Sequence, residues 1–225
     1  MSKRKKEDIV YEIVKRFIDL VLVLILLVIF SPVMIITAVL IRLTSKGPIL
    51  VEKENLHMKR VGKGERIFRL YKFRSMMVKA DKLLERDPKF KKAKWERKTG
   101  GNYKIMDDPR VTPIGRFIRK HSIDEIPQLF NVLKGDMSIV GPRPYLPEEL
   151  AEQQEKYPGT EKYVKEMHAV KPGITGFWQV SGRSEVNFDK RIEMDAYYAR
   201  KKSLFLDFLI LLKTPWVMIS GKGAI

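Results

Sequence analysis

Residues 20–41 read LVLVLILLVIFSPVMIITAVLI, the longest apolar run in the chain. An α-helix rises about 1.5 Å per residue, so this run is long enough to cross a hydrocarbon core of about 30 Å. The run therefore predicts a helix that enters a membrane. It is too long for the apolar part of a signal peptide and no small-residue cleavage site follows it, so we do not expect a cleaved leader.

Two features of this run leave its path through the membrane open. Pro32 lacks an N–H and its ring clashes with the preceding turn, which bends a helix, and the Ser31 hydroxyl can bond a carbonyl there and stabilise the bend in lipid. Both flanks of the run are also basic, and the positive-inside rule places basic flanks in the cytoplasm. A re-entrant hairpin bent at Ser31 and Pro32 satisfies that rule. The alternative is an ordinary spanning helix with a tolerated proline.

The composition excludes several kinds of chemistry, and its net positive charge indicates an anionic partner. The chain has 225 residues, 44 Lys and Arg against 27 Asp and Glu, a net charge of +17, three histidines and no cysteine. Disulfides, thiolate nucleophiles, iron–sulfur clusters and Cys-type zinc sites are excluded, and no two histidines have the spacing of a helical zinc site. Residues 59–120 alone contain 21 Lys and Arg against 7 Asp and Glu. Nucleic acid, an anionic membrane and phosphorylated small molecules all fit such charge.

The remainder predicts a mostly helical α+β protein. Apolar residues at three- and four-residue steps predict one or two helices within residues 113–134, and another apolar helix begins at Leu204 and ends near Pro215. Polar helices are expected at residues 147–157 and 163–168. Residues 49–51 and 67–71 are predicted to pair as a β-hairpin around the Gly62–Gly64 turn. The basic segment at residues 89–98 is either an interfacial helix or a solvated face.

Adjacent carboxylates at Asp124 and Glu125 are the first candidate for chemistry. Pro127 predicts a helix that begins near residues 122–124 and places both carboxylates at its positive end. Such a pair can hold a divalent cation or divide into a nucleophile and a metal ligand. The alternative is structural, because Ser122 and Glu125 have the spacing of a capping box.

Arginine between two prolines is the second candidate. Pro142 and Pro144 stiffen the backbone around Arg143, and a guanidinium presented in this way suits a phosphate. A proline-rich connection between helices explains the same residues equally well. Lys72, Arg74 and Arg183 are further cations for phosphate. Walker A, nucleophile-elbow and dinucleotide-binding motifs are absent.

Taken in order, six segments resemble the bacterial sugar transferases, the monotopic phosphoglycosyl transferases also called polyprenol-phosphate hexose-1-phosphate transferases. Besides the Ser31–Pro32 helix they are residues 71–76 (YKFRSM), 108–112 (DPRVT), 122–129 (SIDEIPQL), 135–144 (GDMSIVGPRP) and 171–176 (KPGITG). The resemblance implies a monotopic protein with an N-terminal re-entrant helix hairpin in residues 1–45. A catalytic domain in residues 46–225 would then carry interfacial amphipathic helices and a small β-hairpin at the cytoplasmic face of the bacterial inner membrane.

The resemblance also implies an activity and roles for residues. A sugar 1-phosphate would pass from a UDP-sugar to polyprenyl phosphate with release of UMP, through a phosphosugar bound covalently to Asp124. Glu125 would help to hold Mg²⁺ with Asp124 or assist the second step. Arg143 would bind the phosphates of the nucleotide sugar, and Arg119 the polyprenyl phosphate or headgroups. We extend substrate binding to Lys72, Arg74, Gln179 and Arg183.

A non-catalytic membrane-anchored protein that binds anionic lipids or acts as a scaffold is the alternative function. A charge-driven binder has no use for ionised carboxylates among its cations, so Asp124 and Glu125 favour the enzyme, and nucleic acid is not an expected partner. A homodimer is compatible with the sequence. The transferred sugar stays open between glucose or galactose 1-phosphate and an N-acetylated sugar phosphate.

Overall fold

The computed structural model describes residues 3–51, 55–80, 108, 110–181 and 186–220, without the side chains of residues 3–6, 56 and 217–220. The chain forms two compact units. One comprises Met1–Val28, Asn55–Leu70 and Gln128–Ile225, and the second comprises Ile29–Glu54 and Tyr71–Pro127. The predicted basic helix at residues 89–98 and the predicted site residue Arg183 lie outside the described residues.

The long apolar helix is confirmed as α1, Lys3–Thr44. Within the described residues it is the one helix long and apolar enough to cross a membrane: it covers Glu7–Thr44, and its apolar 18-residue window has a mean hydropathy of 3.1. Large apolar side chains are exposed along it, including Leu24, Val28 and Ile35. Helical structure continues through Pro32. The re-entrant path stays a prediction.

The predicted β-hairpin exists, but one of its strands was wrong. β1, Lys59–Val61, pairs antiparallel with β2, Ile67–Arg69, around a turn in which Gly64 has a φ of +65°. The predicted partner, residues 49–51, instead forms a single bridge from Leu50 to Phe73. Lys59–Val61 pairs with β2 in preference to residues 49–51 because closing a short loop costs less conformational entropy than closing a long one.

A second β element, not predicted from the sequence, lies in the first unit. β3, Ser138–Val140, runs parallel to β4, Gly173–Thr175, with Ser138 opposite Gly173 and Val140 opposite Thr175. The two strands belong to the sequence motifs 135–144 and 171–176, so their pairing brings those motifs together.

The helices predicted after α1 are all present among the described residues, but two further helices, Phe177–Ser181 and Phe188–Lys201, were not predicted from the sequence. They are α2 Pro113–Lys120, α3 Gln128–Lys134, α4 Pro147–Lys156, α5 Glu161–Met167, α6 Phe177–Ser181, α7 Phe188–Lys201 and α8 Leu204–Ser220. The prediction that the last helix ends near Pro215 was wrong, because α8 continues through that residue.

The predicted helix start at residues 122–124 was also wrong. Ser122 has a φ of +54°, a left-handed conformation that no α-helix continues through, and its side chain makes no capping hydrogen bond. Asp124 and Glu125 lie in a short 3₁₀ turn, Ile123–Glu125, and α3 begins only at Gln128. The carboxylates are therefore not at the positive end of an α-helix, and the capping-box alternative is excluded.

Each unit has its own apolar core. In the first unit the core consists of Val61, Tyr145, Leu150, Val164, Met167, Phe188 and Ile192. In the second unit Ile41, Phe73 and Ile118 are buried, and Met34, Ala38, Leu50, Ile114 and Ile123 pack against them. The second core matters for the candidate site, because Phe73 and Ile123 are direct neighbours of Lys72 and Asp124 in the chain.

Candidate active site

The second unit brings together three of the predicted site residues. Lys72 Nζ lies 3.0 Å from Asp124 Oδ2 and 3.0 Å from Glu125 Oε1. The Asp124 side chain is 4% exposed, whereas that of Glu125 is 49% exposed. One ammonium group therefore bridges a buried carboxylate and a solvent-accessible one.

Backbone hydrogen bonds hold Lys72 in this position. The Val51 N–H donates to the Lys72 carbonyl at 3.0 Å, and the Arg74 N–H donates to the Ile49 carbonyl at 2.8 Å. Between them, the Phe73 N–H donates to the Asp124 carbonyl at 2.9 Å. The backbone that carries the cation is thus bonded directly to the backbone that carries the buried carboxylate.

The charges in this cluster shift two pKa values. Burial raises the pKa of Asp124, the charge of Glu125 adds to that effect, and Lys72 and Arg119 oppose it, so the pKa lies above the ordinary 3.8. Burial lowers the pKa of Lys72, but the charges of Glu125 and Asp124 outweigh it and the pKa lies above the ordinary 10.5. Lys72 therefore keeps its charge at neutral pH and favours the ionised form of Asp124.

Arg119 lies on α2, partly exposed, and its charge lowers the pKa of both Asp124 and Asp108. The helix it belongs to is fixed at its first turn. Thr112 accepts a hydrogen bond from the Gly115 N–H at 3.0 Å. A Cβ on Gly115 would lie 1.9 Å from the Ser75 carbonyl oxygen, so α2 approaches the backbone at Ser75 more closely than a residue with a side chain allows.

The motif at residues 108–112 forms a buried ion pair. Arg110 Nε donates to both Asp108 oxygens at 2.9 and 3.1 Å, and its Nη2 donates to Oδ2 at 2.6 Å. Burial raises the pKa of Asp108, but bonds and charge from Arg110 lower it more, so the pKa lies below 3.8. The Met77 N–H donates to the Arg110 carbonyl at 2.9 Å. This motif therefore holds the segment that follows Lys72 and Arg74.

Arg74, a predicted substrate-binding residue, is buried and bonded to backbone. Its Nε donates to the Pro48 carbonyl at 2.5 Å and its Nη2 to the Ser45 carbonyl at 3.1 Å. Gly47 between them has a φ of +125°, a conformation that glycine adopts without strain. These contacts give Arg74 a structural role at the turn after α1, and its contact with a substrate stays a prediction.

Arg143 lies in the first unit, where a crossing of two glycine-rich segments sets its position. A Cβ on Gly141 would lie 2.4 Å from the Lys171 carbonyl oxygen, and one on Gly176 would lie 2.2 Å from the Gly141 carbonyl oxygen. Only glycine permits this approach, which places Arg143 beside α6. Its Cζ lies 5.8 Å from the centre of the Trp178 ring, within the range of a cation–π contact.

Two neighbours of Arg143 were missed by reasoning from the sequence. The Arg143 N–H donates to Oδ2 of Asp195, a fully buried residue of α7, at 3.2 Å. Tyr145 lies on the other side of Pro144, with its ring centre 5.9 Å from the Arg143 Cζ. The alternation of apolar and polar residues on α7 predicts which face is buried, but no local pattern indicates that a carboxylate on that face meets Arg143.

Gln179, another predicted substrate-binding residue, is on α6. Its Nε2 donates to the Ile174 carbonyl at 3.3 Å, and its Oε1 is buried without a hydrogen-bond partner among the described residues. A buried amide oxygen without a partner costs free energy, which a hydrogen-bond donor from a ligand or a water would recover. The predicted role of Gln179 is compatible with this position.

Asp124 and Glu125 are the metal ligands predicted from the sequence. The described residues contain no group of three or more acidic or histidine side chains that could hold a metal ion by themselves. Mg²⁺ is commonly bound by one or two carboxylates, with substrate phosphates and water as the other ligands. Two adjacent carboxylates, of which Glu125 is half exposed, fit that arrangement.

Comparison with known proteins gives a consistent result. A family model described as bacterial sugar transferase matches residues 10–221. The undecaprenyl-phosphate galactose phosphotransferase of Salmonella typhimurium strain LT2 is 42% identical over 214 residues, which are 93% of this chain and 41% of that protein. The uncharacterized sugar transferase EpsL of Bacillus subtilis strain 168 is 38% identical over 211 residues, 94% of this chain and 90% of that protein.

A third relative carries a different sugar in its name. The UDP-N-acetylgalactosamine-undecaprenyl-phosphate N-acetylgalactosaminephosphotransferase of Aeromonas hydrophila is 39% identical over 218 residues, 96% of this chain and 46% of that protein. The chain thus spans less than half the length of the Salmonella and Aeromonas relatives. The family model, in contrast, covers the chain almost from end to end and includes every described site residue. This protein belongs to the bacterial sugar transferase family.

Proposed function

We propose that this protein transfers a sugar 1-phosphate from a UDP-sugar to polyprenyl (undecaprenyl) phosphate and releases UMP. The product would begin the synthesis of a glycan such as an exopolysaccharide, a capsule, an O-antigen or a glycoprotein glycan. The observation that carries this proposal is the Lys72 bridge between buried Asp124 and exposed Glu125, in a chain of this family. The names of the Salmonella and Aeromonas relatives support the same type of reaction.

The reaction has two displacement steps at one phosphorus atom. In the first, a carboxylate oxygen of Asp124 attacks the phosphorus that carries the sugar. An O–P bond to Asp124 forms, the bond from that phosphorus to the bridging oxygen breaks, and UMP leaves with the electron pair. In the second, an oxygen of the polyprenyl phosphate attacks the same phosphorus. The bond to Asp124 breaks and the carboxylate is regenerated.

Lys72 makes Asp124 a usable nucleophile. A buried carboxylate resists ionisation, and a protonated acid does not attack phosphorus. The ammonium group 3.0 Å away favours the ionised form, and it also offsets part of the repulsion between the carboxylate and an approaching phosphate. Arg119 adds positive charge from α2 and is the proposed contact for the polyprenyl phosphate or headgroups. Arg143 is the proposed contact for phosphates of the nucleotide sugar.

Glu125, with Asp124, is the proposed protein ligand of Mg²⁺. Its side chain is half exposed, so it can reach an ion that also binds phosphate oxygens. When bound, Mg²⁺ would neutralise negative charge on the substrate phosphates. Glu125 itself would orient Lys72, because both carboxylates accept from the same ammonium group.

The membrane position proposed for α1 is a re-entrant insertion from the cytoplasmic face of the inner membrane. Leu24, Val28 and Ile29 expose their side chains, as lipid-facing residues do. Further along the helix, Ile41 is buried with Phe73 in the core of the second unit. Apolar side chains stay exposed as far as Leu43, so the proposed short insertion is supported by the bend-prone Ser31 and Pro32 and by the basic flanks of the run.

Engineered cysteines test that topology cleanly because the chain has no cysteine of its own. Single cysteines at positions 5 and 50 would be probed with an impermeant thiol reagent on intact cells and on opened cells. A re-entrant helix predicts that neither position is labelled until the cells are opened. Labelling of one position on intact cells contradicts it.

The reaction is tested with purified protein in detergent, undecaprenyl phosphate, Mg²⁺ and a UDP-sugar. The wild type should release UMP, and without the lipid its mass should increase by that of one sugar phosphate. Asp124→Asn should lose both signals, whereas Glu155→Gln, which changes an exposed carboxylate on α4, should keep both. UMP release that persists in Asp124→Asn contradicts the nucleophile. A non-catalytic lipid-binding protein predicts no UMP from any variant.

The transferred sugar is decided by the same assay. UDP-glucose, UDP-galactose and their N-acetylated counterparts would be compared at equal concentration. The galactose and N-acetylgalactosamine named for two relatives keep both classes open. A hexose is our first expectation.

A further inference from the structure

A cluster in the first unit contains two guanidinium groups on one indole ring. The Arg143 Cζ lies 5.8 Å from the centre of the Trp178 ring, and the Arg191 Cζ lies 5.1 Å from it. Arg191 and Asp195 are four residues apart on α7 and so share one face of that helix. Two like charges near one ring repel each other, and a bound anion would offset that repulsion.

The described residues supply little negative charge to this cluster. Arg143 Nε is buried without a hydrogen-bond partner, and no described side chain forms an ion pair with either guanidinium. Asp195 accepts a hydrogen bond from the Arg143 backbone with one oxygen, while its other oxygen is buried without a described partner. Burial raises the pKa of Asp195 well above 3.8, although the Arg143 backbone hydrogen bond and the Arg143 charge oppose that effect.

Arg191 also has a structural contact that leaves most of its donors available. Its Nε donates to the Val186 carbonyl at 2.6 Å, just before α7 begins. This bond and the Trp178 ring fix the plane of the guanidinium. The terminal nitrogens, with four N–H groups, make no hydrogen bond to a described residue. A guanidinium held in place with free terminal donors is well suited to a phosphate, which accepts two parallel hydrogen bonds.

We propose that Arg191, oriented by Trp178, is the second cation of a phosphate-binding site that it forms with Arg143. The ligand class is a phosphate ester or diphosphate, whose oxygens would accept from both guanidinium groups and from the unpartnered Arg143 Nε. That this phosphate belongs to a substrate of the transferase rests on the proposed function. Phosphate binding by the cluster itself does not depend on the proposed function.

Equilibrium binding to the purified full chain tests the proposal without catalysis. The probes are UDP, inorganic diphosphate, and vesicles with and without undecaprenyl phosphate. Arg191→Gln should weaken binding of at least one phosphate probe by about tenfold or more, the usual effect of losing a charge-assisted hydrogen bond. Arg191→Lys should recover only part of it, because lysine keeps the charge but not the fork. The probe whose binding is weakened in Arg191→Gln identifies the source of the phosphate.

Lys190→Gln is the matched control. Lys190 neighbours Arg191 on α7, is exposed and pairs with Glu193, so its loss removes the same charge without touching the cluster. It should change binding by no more than about twofold. Near-ultraviolet circular dichroism and the midpoint of thermal unfolding should show that each variant is folded.

Two binding results overturn the proposal. One is wild-type binding of every phosphate probe by folded Arg191→Gln, and the other is an equal loss in Lys190→Gln, which would indicate only long-range charge. A kinetic result contradicts it as well: UMP release by Arg191→Gln with an unchanged KM for both the UDP-sugar and undecaprenyl phosphate, which leaves the proposed function intact. Conversely, phosphate binding that depends on Arg191 in a protein that releases no UMP contradicts the proposed function and supports this site.

Discussion

Replacing Lys72 by methionine tests how the buried carboxylate is kept reactive. Methionine has a similar length and no charge, so the change removes the ammonium group and little volume. At 3.0 Å and an effective dielectric constant of about 20, the attraction to Asp124 is about 5.5 kcal/mol before desolvation is subtracted. Removing one partner of a buried pair costs about 3–5 kcal/mol. Lys72 is 25% exposed, which favours the lower figure, and about 3 kcal/mol corresponds to a loss of roughly 100-fold in rate.

The pH dependence gives a second and more specific result. The proposed reaction needs an ionised Asp124, so activity is expected to fall as the pH drops through the pKa of that residue. Without Lys72 that pKa rises, and the acid limb of the profile should move to higher pH. Glu125→Gln removes a charge that raises the same pKa, so its acid limb should move to lower pH. The two variants are expected to shift in opposite directions.

The assay is UMP release, measured as kcat/KM across the acid and neutral range with detergent-purified protein. Lys120→Met, which removes an exposed lysine at the end of α2, is the control for net charge. The reasoning is refuted if folded Lys72→Met has the acid limb of the wild type and a rate within about twofold of it. A shift in the same direction for Lys72→Met and Glu125→Gln would show that the limb does not report Asp124.

Three further predictions concern the framework of the second unit. Asp108→Asn breaks the buried pair with Arg110 and should lower the free energy of unfolding by about 3–5 kcal/mol. Because folding lowers the pKa of Asp108, the wild type should lose this stabilisation as the pH falls below about 4. An Asp108→Asn variant as stable as the wild type would contradict the pair. Gly115→Ala places a Cβ 1.9 Å from the Ser75 carbonyl oxygen and should lower stability by about 1–3 kcal/mol or more, as checked by thermal unfolding against an alanine at an exposed α2 position. Arg74→Met removes the donor to two carbonyl groups and should lower stability by about 1–3 kcal/mol, as checked by thermal unfolding. A raised KM for the UDP-sugar with normal stability would instead support the predicted substrate contact and contradict a purely structural role.

Elements with a strong local signal were predictable. The apolar run at residues 20–41 needs no distant partner to be a helix, because its length and composition suffice. The polar helix at residues 147–156 follows from Pro147 in its first turn. Residues 49–51 have the composition of a strand, but their partner depended on which segment lay near, and Leu50 meets Phe73 instead of the predicted hairpin strand.

The environment of Asp124 was only partly predictable. Adjacent carboxylates among cations are visible in the sequence, as is Lys72 as a candidate. The left-handed Ser122, which ends the helical continuity and turns Asp124 inward, has no signal there, since serine seldom adopts that conformation. Arg74 shows the opposite case, because its residue type suits phosphate while its surroundings direct it to backbone carbonyls.

The sequence by itself determined the family, the long apolar helix and the residue types of the proposed phosphate-handling site, because these depend on local order along the chain. Only the tertiary structure decided which of those residues touch. It joined Lys72 to Asp124 across 52 positions through the Phe73 N–H. It also brought Arg143, set by the crossing at Gly141 and Gly176, to the Trp178 ring that Arg191 contacts from α7. Contacts of this kind depend on backbone hydrogen bonds and close glycine packing between distant segments, which leave no periodic pattern in the sequence.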